Sequence, residues 1–173
     1  MGLRASVSLT TRVPRAGECE GVDYSFVTDE EFRRKVAAGE LAEWAQVFDA
    51  SYGTPRAPLD RAVASGSDIL LDIDIQGTRQ IHQKYPHDAV AIFVLPPTFT
   101  DLEERLRRRG TEDEGAIERR LMRARDEALA FPEYDYLIIN SELTESLTQL
   151  EAVVRAEQLR VARLVPEFAA WNK

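Results

Sequence analysis

The run Asp68-Ile69-Leu70-Leu71-Asp72-Ile73-Asp74 narrows the folds open to this chain more than any other stretch. Its consecutive Ile69, Leu70 and Leu71 leave no polar face, so the strand is expected to be buried on both sides, as strands of parallel sheets are. Residues 89–95 repeat that character and end at Pro96-Pro97, and residues 136–140 form a third short apolar run. Helical patterns lie between them, over 75–85, from Thr100 through 108, and over 116–129. Strands alternating with helices predict an α/β domain, a parallel sheet with helices on both faces. Asp72 and Asp74 are two apart, so both carboxylates leave one face of their strand. They stand at its C-terminal end, where open α/β sheets bind ligands. Capping the following helix is the plainer role for both.

Residues 6–18 hold a second constraint. Val7 and Leu9 alternate as in a short strand, which then breaks into a loop with Arg12, Pro14, Arg15 and Gly17. Two guanidinium forks match phosphate oxygens, and the hydroxyls of Ser8, Thr10 and Thr11 lie close in sequence. Pro14 stiffens the segment between the forks. On the residues alone, a solvated turn and a clamp for a small phosphate ester stand equal.

Between these stretches the pattern is regular. Residues 24–27 read as a strand, and Thr28 with Glu31 forms a capping box for a helix ending near Gly39. Residues 41–48 resume a strand, with Glu43 on the side of Leu41, Ala45 and Val47. A carboxylate there is either an edge-strand charge or a reader of something bound. A turn or short strand at 50–55 leads into a helix over 56–65, with Pro58 in its first turn and Gly66 beyond its end. Thr100 and Glu103 suggest another capping box. Arg107 and Arg123 suit i,i+4 pairing with acids. Leu143, Leu147, Leu150, Val154 and Val161 fall near helical spacing, on a helix expected to pack on the sheet and end at Pro166.

The 173 residues suit one domain spanning 1–173. A net charge of −8 argues against non-specific nucleic-acid binding, although arginines gather at 12–15 and 105–125. No apolar run approaches the ~20 residues of a membrane span, and the first residues lack a signal peptide's apolar region. Cys19 is the sole cysteine, so no internal disulfide forms and a cytoplasmic setting is expected. His82 and His87 have no partner at ligand spacing, so no metal site is expected.

In sequence order, Ser6-Val7-Ser8-Leu9-Thr10-Thr11-Arg12-Val13-Pro14-Arg15-Ala16-Gly17-Glu18 and Gly21-Val22-Asp23-Tyr24-Ser25-Phe26 are followed by Glu43-Trp44-Ala45 and Ser51-Tyr52-Gly53-Thr54. Asp72-Ile73-Asp74-Ile75-Gln76-Gly77, the arginine run 105–109, Arg119-Arg120-Leu121 and the segment 134–140 continue the series. Together they resemble the guanylate kinases over nearly the whole chain. The resemblance implies a P-loop-kinase-like sheet, a GMP-binding region over about 8–65 and a lid over about 105–129. It implies ATP-dependent phosphorylation of GMP to GDP, with ATP and Mg²⁺ as cofactors.

By the same resemblance, Glu43 reads guanine N1 and N2, with Ser8 and Thr54 toward O6. Arg12, Arg15, Tyr24 and Tyr52 surround the 5′-phosphate. Asp72 and Asp74 lie near the ribose and the transferred group. Arg109 and Arg120 are lid arginines over the ATP phosphates, and Asn140 lies beside adenine. One departure accompanies the match. No Gly-x-x-x-x-Gly-Lys-Ser/Thr occurs in the sequence. The first strand, phosphate loop and helix of the family are therefore expected to be missing. Two functions follow: a GMP kinase with a shortened chain and little activity, or a non-catalytic module that binds GMP or a phosphorylated peptide. The missing strand also predicts unpaired sheet edges, closed by a homodimer or by an altered strand order.

Overall fold

The computed structural model describes residues 3–109 and 113–168; the side chains of residue 109 and residues 165–168 lie outside that description. The chain divides into two compact units, Met1–Ala89 and Val90–Lys173.

In the first unit, β1 (Arg4–Ala5) pairs in parallel with β6 (Ile69–Leu70). A separate four-stranded sheet has the order β3-β2-β5-β4, from β3 (Ser25–Phe26), β2 (Leu9–Thr10), β5 (Ala50–Pro55) and β4 (Leu41–Val47). The β4–β5 hairpin turns on Phe48 and Asp49. Phe48 adopts φ 54°, so the first loop residue sits in the left-handed region. A register shift between Leu41 and Glu43 lets Leu41, Ala42 and Glu43 all be buried, whereas strict alternation would expose one of them. Three helices, α1 (Asp29–Ala37), α2 (Arg56–Ser65) and α3 (Ile75–Lys84), complete the unit.

The local signals for these helices hold. The Thr28 side chain accepts the Glu31 amide and caps α1, and Gly66 closes α2 in the left-handed conformation at φ 66°. Phe32 of α1 packs with Leu9 and Leu41, while Leu59 of α2 and Ile81 of α3 enclose Ala42. Burial of each large side chain contributes about 1.5–3 kcal/mol, and both clusters bear on β4.

The expectation for residues 68–74 is corrected in extent. Only Ile69 and Leu70 form ladder bonds, and Leu70 is 41% exposed. A run without polar residues marks a strand that can be buried, but burial needs neighbours on both sides. Among the described residues, the other edge of β6 has no ladder partner.

The second unit contains a parallel pair, β7 (Ile92–Leu95) with β8 (Tyr136–Ile139). Its helices are α4 (Phe99–Arg109), α5 (Glu114–Ala128), α6 (Leu143–Gln158) and α7 (Val161–Phe168). The cap of α4 is Thr98, whose hydroxyl accepts the Asp101 amide at 3.0 Å, and not Thr100. Both threonines have an acid three residues on, and the helix begins two residues earlier. The helix expected to run to Pro166 breaks at Leu159–Arg160, and α7 continues through Pro166. Leu143 and Leu147 are exposed rather than packed. Glu157 is buried instead, accepting from Tyr136 Oη at 2.6 Å and from Arg160 Nε at 2.8 Å. The pairs of Arg107 with Glu103 and Arg123 with Glu127 form as their spacing suggests.

Candidate functional site

Glu43 is the most unusual carboxylate of the first unit. It is 4% exposed on β4, so it is not a solvated edge charge. Thr54, directly across on β5 and fully buried, donates its hydroxyl to Glu43 Oε1 at 2.5 Å. Burial is the main force raising the Glu43 pKa above the ordinary carboxylate value. The Thr54 bond opposes that rise and the nearby Asp74 charge adds to it. The pairing needs a chain reversal between positions 43 and 54, which the two-residue hairpin supplies.

The second group gathers where β2 leaves the sheet. Arg12 Nε donates to Tyr52 Oη at 3.2 Å, and the guanidinium lies 5.4 Å from the centre of the Tyr24 ring. The two tyrosine rings meet edge-on with centroids 6.0 Å apart. Both terminal nitrogens of Arg12 also bond Glu18, at 3.0 and 2.8 Å, and Glu18 accepts the Arg15 amide at 2.7 Å. These bonds hold the Glu18 carboxyl below its usual range and strengthen the charge on Arg12. Burial raises the Tyr24 pKa, and Asp72 adds to the rise. Arg15 is exposed. Arg12, Tyr24 and Tyr52 therefore meet as one cluster, while Glu43 and Thr54 meet as a second on the same sheet. Ser8, half-buried just before β2, accepts the Ser25 amide through its carbonyl at 2.9 Å.

The two aspartates differ. Asp74 is the N-cap of α3: its Oδ1 accepts the Gly77 amide at 2.9 Å and its Oδ2 accepts from Gln76 Nε2 at 3.1 Å. The plainer role set out for it, helix capping, is thus filled. Asp72 is exposed.

In the second unit, Asn140 follows β8. Its carbonyl accepts from Arg105 Nη2 at 2.9 Å, and its Oδ1 accepts from Ser146 Oγ at 3.2 Å. Arg120 is half-buried on α5. Arg109 ends α4, and its side chain lies outside the described residues. Arg107 spans from α4 to α5, bonding Glu114 at 2.6 and 2.7 Å. Among the described residues no group of three or more His, Cys, Asp or Glu is arranged to hold a metal ion.

Three contributors were missed as site residues in the sequence. Glu18 had a visible signal: an acid six residues after one arginine and three after another. Gly77 closes the Asp72-to-Gly77 segment of the resemblance but carries no chemistry of its own there, and Gln80 had no signal, since what its side chain meets depends on which strand the helix docks against.

A sheet carrying a buried acid and an arginine–tyrosine cluster, together with parallel strand pairs and helices, defines a mixed α/β protein. The guanylate kinase family model matches residues 2–157. The chain is 46% identical over 162 residues to a guanylate kinase of Nitrobacter winogradskyi, covering 94% of this chain and 74% of that one. It is 47% identical to a guanylate kinase of Paramagnetospirillum magneticum, covering 94% and 77%. The crystal structure of guanylate kinase from Anaplasma phagocytophilum superposes with a TM-score of 0.81 at 39% identity, covering 93% of this chain and 79% of that one. The chain belongs to the guanylate kinase family.

Proposed function

We propose that these residues carry the GMP-recognition part of a guanylate kinase, the family's reaction being transfer of a phosphoryl group from ATP to GMP. The observation that supports this best is the buried Glu43 carboxylate with one oxygen held by Thr54. Guanine presents two donors side by side, N1–H and the N2 amino group. A carboxylate accepts both, whereas adenine's N1 is itself an acceptor and is repelled. An unmet buried carboxylate makes that rejection strong. A phosphorylated peptide offers no such edge, so Glu43 favours the nucleotide over the peptide alternative.

In this proposal Ser8 donates toward O6, Thr54 lies beside it with its one hydroxyl proton given to Glu43, and Arg12, Arg15, Tyr24 and Tyr52 bind the 5′-phosphate. Asp72 and Asp74 serve the ribose side and the reacting group. Arg109 and Arg120 meet the ATP phosphates, and Asn140 meets adenine. Lid donors of this kind offset charge developing on the transferred phosphoryl group.

The fit to Mg²⁺–ATP is incomplete. Mg²⁺ keeps several waters and takes few protein oxygens. In P-loop kinases its hydroxyl ligand, the phosphate-binding lysine and the backbone amides come from a Gly-Lys-Ser/Thr loop. No such loop occurs in the 173 residues. As a polypeptide of this sequence, the chain is therefore proposed to bind GMP and to turn over negligibly. Loss of one preorganised donor already costs ~10²–10³ in rate.

Calorimetry with GMP and AMP, beside a coupled ADP-release assay, tests both halves. GMP preference without turnover is expected. Equal affinity for the two nucleotides sinks the Glu43 assignment. Turnover comparable to a chain extended upstream with a phosphate loop sinks the second half.

A further inference from the structure

Three residues on one face of α3 hold β4 around Glu43. Lys84 Nζ donates to the Ala42 carbonyl. Gln80 accepts the Trp44 amide on Oε1 at 3.2 Å and donates from Nε2 to the Trp44 carbonyl at 2.7 Å. Gly77 completes the face, one turn before Gln80. A Cβ placed on Gly77 would lie 2.6 Å from Glu43 Oε2, 3.1 Å from its carboxyl carbon and 3.2 Å from Ile73 Cβ. The carboxylate thus rests in the space a side chain would occupy. Gly77 is buried, and the Gln80 and Lys84 bonds hold the helix against β4, so it cannot easily retreat.

We infer that Gly77 is a specificity-positioning residue: its missing side chain forms the seat that, with Thr54, sets where the Glu43 carboxylate points. The inference rests on the proposed reading of guanine by Glu43. With Oε1 tied to Thr54, the direction of Oε2 decides whether both oxygens can meet N1–H and N2–H together. The tightest contact of an alanine at 77 is the end of the Glu43 side chain, and Ile73 Cβ at 3.2 Å has to give only a few tenths of an ångström, so the carboxylate makes the larger move. Alanine is also the better helix former, so a glycine with open space at this point would gain from the change.

The test uses the full chain with Gly77→Ala, Glu43→Asp and the double variant. Calorimetry is run with GMP, AMP and ribose 5-phosphate. Gly77→Ala is expected to weaken GMP about tenfold, the size of a lost charged hydrogen bond, and to leave AMP and ribose 5-phosphate unchanged. The shorter aspartate makes room for the added methyl, so the double variant is expected to bind GMP no more weakly than Glu43→Asp alone, a non-additive cycle. Unchanged GMP affinity, an equal loss for ribose 5-phosphate, or additive losses would overturn the inference. If the parent chain shows no preference for GMP over AMP, it is the reading of guanine by Glu43 that fails. The seat is then judged by the Glu43 carboxyl ¹³C resonance, assigned through Glu43→Gln. A shift of that resonance in Gly77→Ala supports the seat, and an unmoved one overturns it.

Discussion

Arg12 grips Glu18 end-on, with one terminal nitrogen on each carboxylate oxygen at 3.0 and 2.8 Å. Its Nε is on Tyr52 and Nη1 also reaches the Val13 carbonyl at 2.8 Å. A guanidinium has five N–H donors, so one on Nη2 remains for an incoming anion. The loop from 12 to 18 is tied before any ligand arrives, which lowers the ordering cost of binding.

Arg12→Ala is expected to weaken GMP by about 1.5–3 kcal/mol, as for other hydrogen bonds to charged groups, while guanosine affinity stays unchanged. Because the partner is a phosphate, the loss should narrow in high salt. Calorimetry with both ligands at two ionic strengths checks this. An equal loss for guanosine would assign Arg12 a structural role only.

Guanosine, which has no phosphate to titrate, isolates Glu43. Its affinity should fall on acidification as the carboxylate takes up a proton. Since burial raises the Glu43 pKa, the midpoint should lie above the ordinary value of 4.5. A flat profile down to that value would show that Glu43 does not touch the base.

The same shift governs stability in the opposite sense. A group whose folded pKa exceeds its unfolded one contributes stability that is complete below the unfolded value and disappears as pH rises through the folded value. Glu43→Gln keeps an acceptor for Thr54 and removes the buried charge. Thermal melts of the ligand-free chain should show the variant gaining on the parent as pH climbs from 4.5 toward neutrality. A parent that gains on the variant over that range would contradict the direction of the shift.

Asp74 can be divided into cap and charge. Asparagine caps helices about as well as aspartate, whereas alanine at an N-cap costs about 0.5–2 kcal/mol. Denaturant unfolding should therefore rank Asp74→Asn near the parent and Asp74→Ala below it. If Asp74→Asn also leaves GMP affinity intact, the residue acts here as a cap alone.

Much of this was legible where the physics is local. Thr28 capping α1, Gly66 ending α2 and the Arg107–Glu103 spacing each depend on a few neighbouring residues. Glu43 stood out because a carboxylate shared a face with Leu41 and Ala45, though the bulge that buries Ala42 beside it has no sequence mark. Residues whose fate depends on distant partners were read less well. Leu70 was expected in the interior and is partly exposed, because periodicity tells which face a side chain takes and not whether anything covers it. Gln80 looked like an ordinary polar helix residue, since only the docked strand reveals what its amide replaces.

That replacement matters beyond recognition. The strand β4 is the last in its sheet, and its outward amide and carbonyl at Trp44 would otherwise offer a template for another polypeptide. The carboxamide of Gln80 matches both groups as a neighbouring strand would, and the Lys84 ammonium occupies the carbonyl at Ala42. The helix that packs against Glu43 thereby also covers edge groups on which another polypeptide could pair. The seat of a buried carboxylate and the cover of a sheet edge share about two turns of the same helix, Gly77 to Lys84.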